Sequence, residues 1–276
     1  MSEETALTRP IPFACPQCKR PLRPDGDVFC CRACDRTYPI VDGIPDFILD
    51  DAPAGSVPSL RNNRKLAKFL NIRRITNVFN VGAPLYETRF WYPFFLNLVG
   101  AGSTSLSRIA GFHAKTLEAV TGHILDVACG PATYGRRIAA SSRHIYGIDV
   151  STGMLRQGLA YLARDHITGV HLAQARVEQL PFENAVFDGA ICSGSLHLFP
   201  DTALALREVA RTLKTGAPLS VQTFVPKDPA KRSGVFAYTL PELQQAVADA
   251  GFEGFQYNLD GTSITFSARK ASSGSH

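Results

Sequence analysis

The run His123-Ile124-Leu125-Asp126-Val127-Ala128-Cys129-Gly130-Pro131-Ala132-Thr133-Tyr134-Gly135, followed by Tyr146-Gly147-Ile148-Asp149-Val150-Ser151, constrains the fold more than any other part of the chain. It reads as a buried strand, a tight turn of small residues, a helix, and a second strand that ends on an acid. Such a turn presents backbone N–H groups at a helix start, and the acid sets a carboxylate beside them to hold a ribose. Three nucleotide-type ligands use an arrangement of this kind, and the details separate them.

The pattern around this run extends the same alternation. Strand-like stretches rich in Ile, Val and Phe fall at 123–129, 144–149, 169–175, 187–193 and 217–225. Helical periodicity falls between or after most of them, at 132–142, 152–165, 201–214 and 239–250, with Asp201 and Thr239 as N-caps and Pro241 early in the last helix. This predicts an α/β fold with a parallel sheet covered on both faces. The end differs: 252–260 and 262–269, joined around Asp260-Gly261, form an antiparallel hairpin pattern.

Composition places the rest. The 276 residues are 45% hydrophobic and 19% charged, enough for one full domain and a small extra module. The predicted division is a flexible N-terminus over 1–12, a cysteine-rich unit over 13–49 and a linker over 50–59. A helical segment over 60–119, the main domain over 120–270 and a flexible tail over 271–276 complete it. A net charge of +5 permits an anionic ligand without demanding nucleic acid. The start lacks a secretory pattern, and the apolar stretch Phe90 to Gly102 is too short to span a bilayer. Seven cysteines, five of them between Cys15 and Cys34, fit a reducing cytoplasm rather than a disulfide framework.

Gly130 and Gly135 stand at P-loop spacing, but Arg136-Arg137 follow where Lys and Ser or Thr are needed, and Pro131 removes an N–H from the loop. A dinucleotide site requires Gly-x-Gly-x-x-Gly, whereas Ala128, Gly130 and Ala132 alternate here. The remaining reading rests on a resemblance. Leu125-Asp-Val-Ala-Cys-Gly-Pro-Ala, Gly147-Ile-Asp-Val-Ser and Met154-Leu resemble the class I S-adenosylmethionine-dependent methyltransferases of the type 11, UbiE-like group. The likeness continues in order through Leu180-Pro-Phe, Phe187-Asp, Leu196-His-Leu, Arg207-Glu-Val-Ala-Arg and Leu213-Lys-Thr-Gly, covering roughly residues 80–270.

That resemblance implies a Rossmann-like, seven-stranded, doubly wound sheet and S-adenosylmethionine as cofactor. It places Asp126 and Gly130 at the methionine and ribose side, with Ala128 in the close-approach turn. Asp149 would accept from both ribose hydroxyls. Val150 and Met154 would pack on the adenine, Arg176 and Val177 would flank its edge, and Ser193 would face the reacting end. Two departures stand out. Ala128 replaces a glycine, a mild change if its φ stays negative. Arg176 replaces a common Asp, and arginine accepts no hydrogen bond.

Cys15-Pro-Gln-Cys18 and Cys31-Arg-Ala-Cys34 make two CxxC knuckles, which together predict a tetrahedral structural Zn²⁺ site. The metal would supply folding energy to a unit too small for its own core. Cys30 is a spare thiol, and Cys129 and Cys192 read as small strand residues. The unit, continuing to Tyr38-Pro-Ile-Val-Asp-Gly-Ile-Pro-Asp-Phe, resembles Trm112-like zinc ribbons and the ribbon of rRNA guanine methyltransferases, where it resembles an RNA reader. A structural cap on the catalytic domain is the alternative, because Lys19, Arg20, Arg23, Arg32 and Arg36 are offset by Asp25, Asp27, Asp35, Asp42 and Asp46.

The substrate side is expected before the first strand. The basic stretch Arg61 to Arg74 reads either as an anion contact or as a solvated helix face. The aromatic cluster around Tyr86, Trp91 and Tyr92, with Phe224 from the later loop, suits a flat or lipophilic acceptor. Tyr86 resembles a family tyrosine near the methionine end. His197, beyond the fourth strand, is either a general base or a structural histidine. Ser193-Gly-Ser-Leu-His stands where adenine and glutamine N-methylating enzymes carry an NPPY-like motif, leaving O-, C- and other N-acceptors.

The resulting expectation is a cytoplasmic methyltransferase acting on a small aromatic or lipophilic molecule, with Tyr86 and His197 as catalytic candidates. Trp91, Tyr92, His197 and Phe224 are the substrate candidates. An RNA base methyltransferase and a non-catalytic scaffold are the alternatives. The sequence sets no oligomeric state.

Overall fold

A computed structural model describes residues 13–48, 80, 83, 86–88, 91–228, 230 and 237–272. The predicted linker over 50–59, the basic stretch Arg61 to Arg74 and most of the helical segment before residue 91 lie outside the described residues. So do the side chains of Trp91 and Tyr92.

Four short strands build the N-terminal unit: β1 (Arg23–Asp25), β2 (Val28–Cys31), β3 (Arg36–Val41) and β4 (Ile44–Pro45), paired antiparallel in that order. The next two elements are helices, α1 (Trp91–Leu98) and α2 (Leu106–Thr116). Ser105 caps α2 through its side chain. No described helix is long and apolar enough to cross a membrane.

The main sheet follows the predicted alternation: β5 (Gly122–Val127), α3 (Gly135–Ile138), β6 (Arg143–Asp149), α4 (Thr152–Arg164), β7 (Val170–Gln174) and β8 (Gly189–Ser193). Then come α5 (Thr202–Thr212), β9 (Pro218–Phe224), α6 (Leu240–Asp249) and the hairpin β10 (Phe252–Asp260) with β11 (Ser263–Lys270). The seven strands are ordered β10-β11-β9-β8-β5-β6-β7, parallel from β9 to β7 and antiparallel at β10 and β11. Order reverses between β8 and β6, on either side of β5. At such a switch point the connections leave in opposite directions and open a crevice at the strand ends. β9 is buried along its whole length, as its run of Leu, Val and Phe requires in mid-sheet.

Two expectations are corrected. Helix 132–142 shrinks to Gly135–Ile138, because the small residues before it form the turn instead. Ala128 does not keep a negative φ: it stands at +51°, with Gly130 at +55° and Ala132 at +56°. A Cβ in this region clashes with its own backbone and costs about 1–2 kcal/mol. The turn therefore carries strain that glycine would relieve.

The N-terminal unit packs on the β7 edge. Phe47 donates its backbone N–H to the Gln174 carbonyl at 2.8 Å, and Ala14 donates to the Pro181 carbonyl at 2.8 Å. Asp46 pairs with Gln174 as a parallel bridge, so the unit continues the sheet past its last strand. Phe13 lies 4.8 Å from Phe47 and 5.7 Å from Phe182, and Phe182 lies 4.8 Å from Phe187. One apolar cluster thus runs from Cys15, Leu22 and Tyr38 into Leu125, Tyr146 and Phe182. Lys19 seals its rim with a 2.8 Å ion pair to Glu208.

Candidate active site

The strained turn and the end of β6 are built as one piece. Asp149 accepts from the Gly130 backbone N–H at 2.9 Å through one oxygen and from the Ser151 N–H at 2.8 Å through the other. Each oxygen retains capacity to accept a further hydrogen bond, and Asp149 lines the crevice. Below the turn, buried Asp126 accepts from the Gly135 N–H at 3.0 Å and anchors the start of α3. Burial pushes Asp126 up to about 8, opposed by that hydrogen bond and reinforced by Asp149 nearby. Burial likewise raises Asp149, against the pull of the Ser151, Gly130 and Val150 amides.

The crevice encloses about 920 Å³, open mouth included. Of the predicted cofactor residues, Ala128, Gly130, Asp149, Val150, Met154, Arg176, Val177 and Ser193 line it, and so does Tyr86. Asp126 lies beneath the turn rather than in the lining. The crevice runs across the strand ends. Val150, Met154, Ala175 and Val177 give an apolar bay over β6 and β7, while Ser193, Gly194 and Ser195 form the opposite end over β8.

The segment carrying Tyr86 is held by charge. Glu87 accepts two hydrogen bonds from one Arg136 nitrogen, both at 2.6 Å, and a third from Thr133 at 2.5 Å. The Arg136 guanidinium also lies 4.5 Å over the Tyr161 ring. Asn80 accepts from Ser151 at 2.7 Å and from the Gly153 N–H at 3.0 Å. Gly153 has no alternative there: an added Cβ would sit 2.5 Å from the Asn80 carbonyl oxygen.

Arg176 lines the crevice, with a buried Nε that has no hydrogen-bond partner among the described residues. Glu178, two residues on, also lines it and keeps one buried oxygen unpartnered, its pKa raised by burial. The sequence reading missed Glu178, although a carboxylate so close to the departing Arg176 was a usable signal.

His197 is 7% exposed and outside the lining, its ring 5.6 Å from that of Phe224. Burial lowers it to about 4, so the imidazole is neutral at pH 7, and its Nδ1 has no partner among the described residues. Phe224 is buried beside Leu96 and Ala101. A further histidine escaped the sequence reading: His113 on α2, fully buried, bonds Ser220 at 2.8 Å and Ser193 at 2.5 Å.

In the N-terminal unit the sulfurs of Cys15, Cys18, Cys31 and Cys34 lie within 4.8 Å of one another, Cys15 to Cys34 at 4.0 Å and Cys18 to Cys31 at 3.6 Å. A tetrahedral Zn²⁺ with bonds near 2.3 Å needs sulfurs about 3.8 Å apart, so the donor set fits. Tyr38 reaches Cys15 at 3.2 Å from outside the cluster. Burial raises the Cys15 thiol, but hydrogen bonds from Tyr38 and local amides outweigh it and leave it at about 7. Cys30 stands outside the cluster.

Comparison with known proteins agrees with this architecture. Residues 124–216 match the family described as methyltransferase domain, and residues 13–43 match the Trm112p-like protein family. An uncharacterized chloroplastic methyltransferase of Arabidopsis thaliana is 25% identical over 94% of this chain and 78% of its own length. A demethylmenaquinone methyltransferase of Clavibacter sepedonicus is 34% identical over 51% of this chain, and the match spans 57% of that enzyme. In fold, the chain resembles the [4+2]-cyclase SpnF, with a TM-score of 0.60 at 18% identity, covering 72% of this chain and 96% of that one.

The fold and these matches identify the main domain as a methyltransferase domain. A Trm112p-like unit over residues 13–43 thus precedes a methyltransferase domain over residues 124–216.

Proposed function

We propose that the crevice binds S-adenosylmethionine and that the chain methylates a small aromatic or lipophilic acceptor. The observation that carries this reading is Asp149. Its two oxygens are each fixed by a backbone N–H, from Gly130 and Ser151, and it lines the crevice beside the apolar Val150, Met154 and Val177. Asp149 holds the ribose hydroxyls, Val150, Met154 and Val177 pack on the adenine, and Gly130 and Ala128 let the backbone approach. Glu178 supplies the acceptor for the adenine amino group that Arg176 cannot. Asp126 acts through Gly135, by fixing the turn.

When bound, S-adenosylmethionine supplies an electrophilic methyl group on a good leaving group. The protein's own part is then alignment and exclusion of water. Tyr86, held over the crevice by the Glu87–Arg136 pair, closes the reacting end. Trp91 and Tyr92 at the start of α1, and Phe224 with His197, are the residues assigned to the acceptor side. His197, neutral at pH 7, takes the proton if the acceptor must lose one. The demethylmenaquinone methyltransferase match supports a lipophilic ring as acceptor.

The four cysteines hold a structural Zn²⁺ in this reading, and the ribbon braces the β7 edge. A second reading, an RNA acceptor, has one observation in its favour. Arg20, Arg23 and Arg32 surround a shallow pocket on the ribbon and have no ion-pair partner among the described residues. Incubation with methyl-labelled cofactor and either a small-molecule extract or total RNA tests both. Label in an extractable small molecule supports the proposal; label confined to RNA overturns it.

A further inference from the structure

His113 is enclosed on every side. It sits in α2 with its ring 5.2 Å from that of Tyr134, in the strained turn, and its two nitrogens reach Ser220 on β9 and Ser193 at the end of β8. With no carboxylate among its hydrogen-bond partners, burial lowers it to about 3. The ring is neutral, and a neutral imidazole donates through one nitrogen and accepts through the other. Both ring nitrogens of His113 are taken up by serines, which leaves neither to accept a proton from a substrate, and its effect is on the serines.

The direction of the two bonds follows from Ser220. This residue is fully buried, and its hydroxyl has His113 Nδ1 as its sole side-chain partner among the described residues. A buried hydroxyl that leaves its proton unused costs more than one that leaves a lone pair unused. Ser220 thus donates to Nδ1, and Nε2 carries the ring proton and donates to Ser193. The Ser193 oxygen is then occupied by His113, and its own proton is free for the crevice that Ser193 lines. Ser193 stands at the β8 end, opposite the apolar bay over β6 and β7.

We propose that Ser220 and His113 act as positioning residues that fix the Ser193 hydroxyl as a hydrogen-bond donor to the carboxylate of the cofactor's methionine moiety. This rests on the proposed cofactor site and adds to it the polarity of its far end. A hydrogen bond to a charged group contributes enough to change affinity roughly tenfold or more.

Calorimetry with S-adenosylmethionine and with its decarboxylated analogue tests this on the full chain. The wild type is expected to bind the carboxylate form roughly tenfold or more tightly than the analogue. Ser193→Ala and His113→Leu are expected to abolish that preference while binding the analogue as before. His113→Gln, whose amide reaches the Nε2 position with a donor, is expected to restore it. The ¹⁵N shifts of the His113 ring are expected to report a proton on Nε2. Equal losses for both ligands, or no loss for either, would overturn the inference, as would a ring proton on Nδ1. If His113→Leu does not fold in a thermal melt, Ser193→Ala decides alone. A wild type that binds neither ligand contradicts the cofactor site itself, which is a different failure.

Discussion

The backbone N–H of Phe47 donates to the Gln174 carbonyl at 2.8 Å, and Gln174 leads directly into Ala175, Arg176, Val177 and Glu178 in the crevice wall. The N-terminal unit therefore fixes the chain segment that borders the apolar bay of the crevice. If the four cysteines hold Zn²⁺ as proposed, removing it should loosen both. With a strong chelator the whole chain is expected to melt in one transition several degrees lower, with weaker cofactor binding. A separate ribbon transition that leaves the main melt and the affinity unchanged would show that the two parts are uncoupled. Scanning calorimetry and a binding titration on the same sample check this.

Glu87 and Arg136 form a pair in which both side chains are largely buried. Glu87→Ala leaves the buried guanidinium with only its longer 3.4 Å contact to Asp165, at a cost of about 3 kcal/mol. It also frees the segment that carries Tyr86. Denaturant unfolding should show the loss.

Ala128 at φ +51° gives an opposite prediction for a conservative change. Ala128→Gly should stabilise the chain by about 0.5–1 kcal/mol by relieving the left-handed strain, less the entropy glycine adds to the unfolded state. Ala128→Val should be strongly destabilising, since a β-branched residue fits this region worst. Midpoints of urea unfolding for the pair decide the sign.

The buried acids make cofactor affinity depend on pH. Burial holds Asp126 at about 8 and raises Asp149 in the free protein. S-adenosylmethionine is cationic at its sulfonium and amino groups, so its binding favours the ionised carboxylates and lowers their pKa. Protons are then released on binding. Affinity should rise from about pH 6 toward pH 8, by at most about tenfold per unit for each proton released, and level off above the free-protein value. Titrations in two buffers of different ionisation heat count the protons directly.

Much of this architecture was legible in one dimension because its signals are local. The five parallel strands, the hairpin at Asp260-Gly261 and the alternating small residues of the turn each declare themselves within a few positions. The CxxC pairs declare a metal-type cluster by spacing alone. What escaped depends on distant partners. His113 is one histidine in an amphipathic helix until Ser193 and Ser220, 80 and 107 residues away, close on its ring. The docking of the ribbon on β7 rests on backbone bonds at Gln174 that carry no side-chain signature. The shortened α3 was misread because Ala132 and Thr133 are compatible with a helix; the turn takes them over with Ala132 at +56°.

The central claim is that Asp149, braced by Gly130 and Ser151, is the ribose anchor of an S-adenosylmethionine site. Titration calorimetry of the wild type and Asp149→Asn with S-adenosylmethionine tests it most directly. One molecule bound per wild-type chain, with roughly tenfold or greater loss of affinity in Asp149→Asn while the melting temperature is kept, is the predicted result. Equal affinity in the two proteins, or no binding by the wild type, would contradict it.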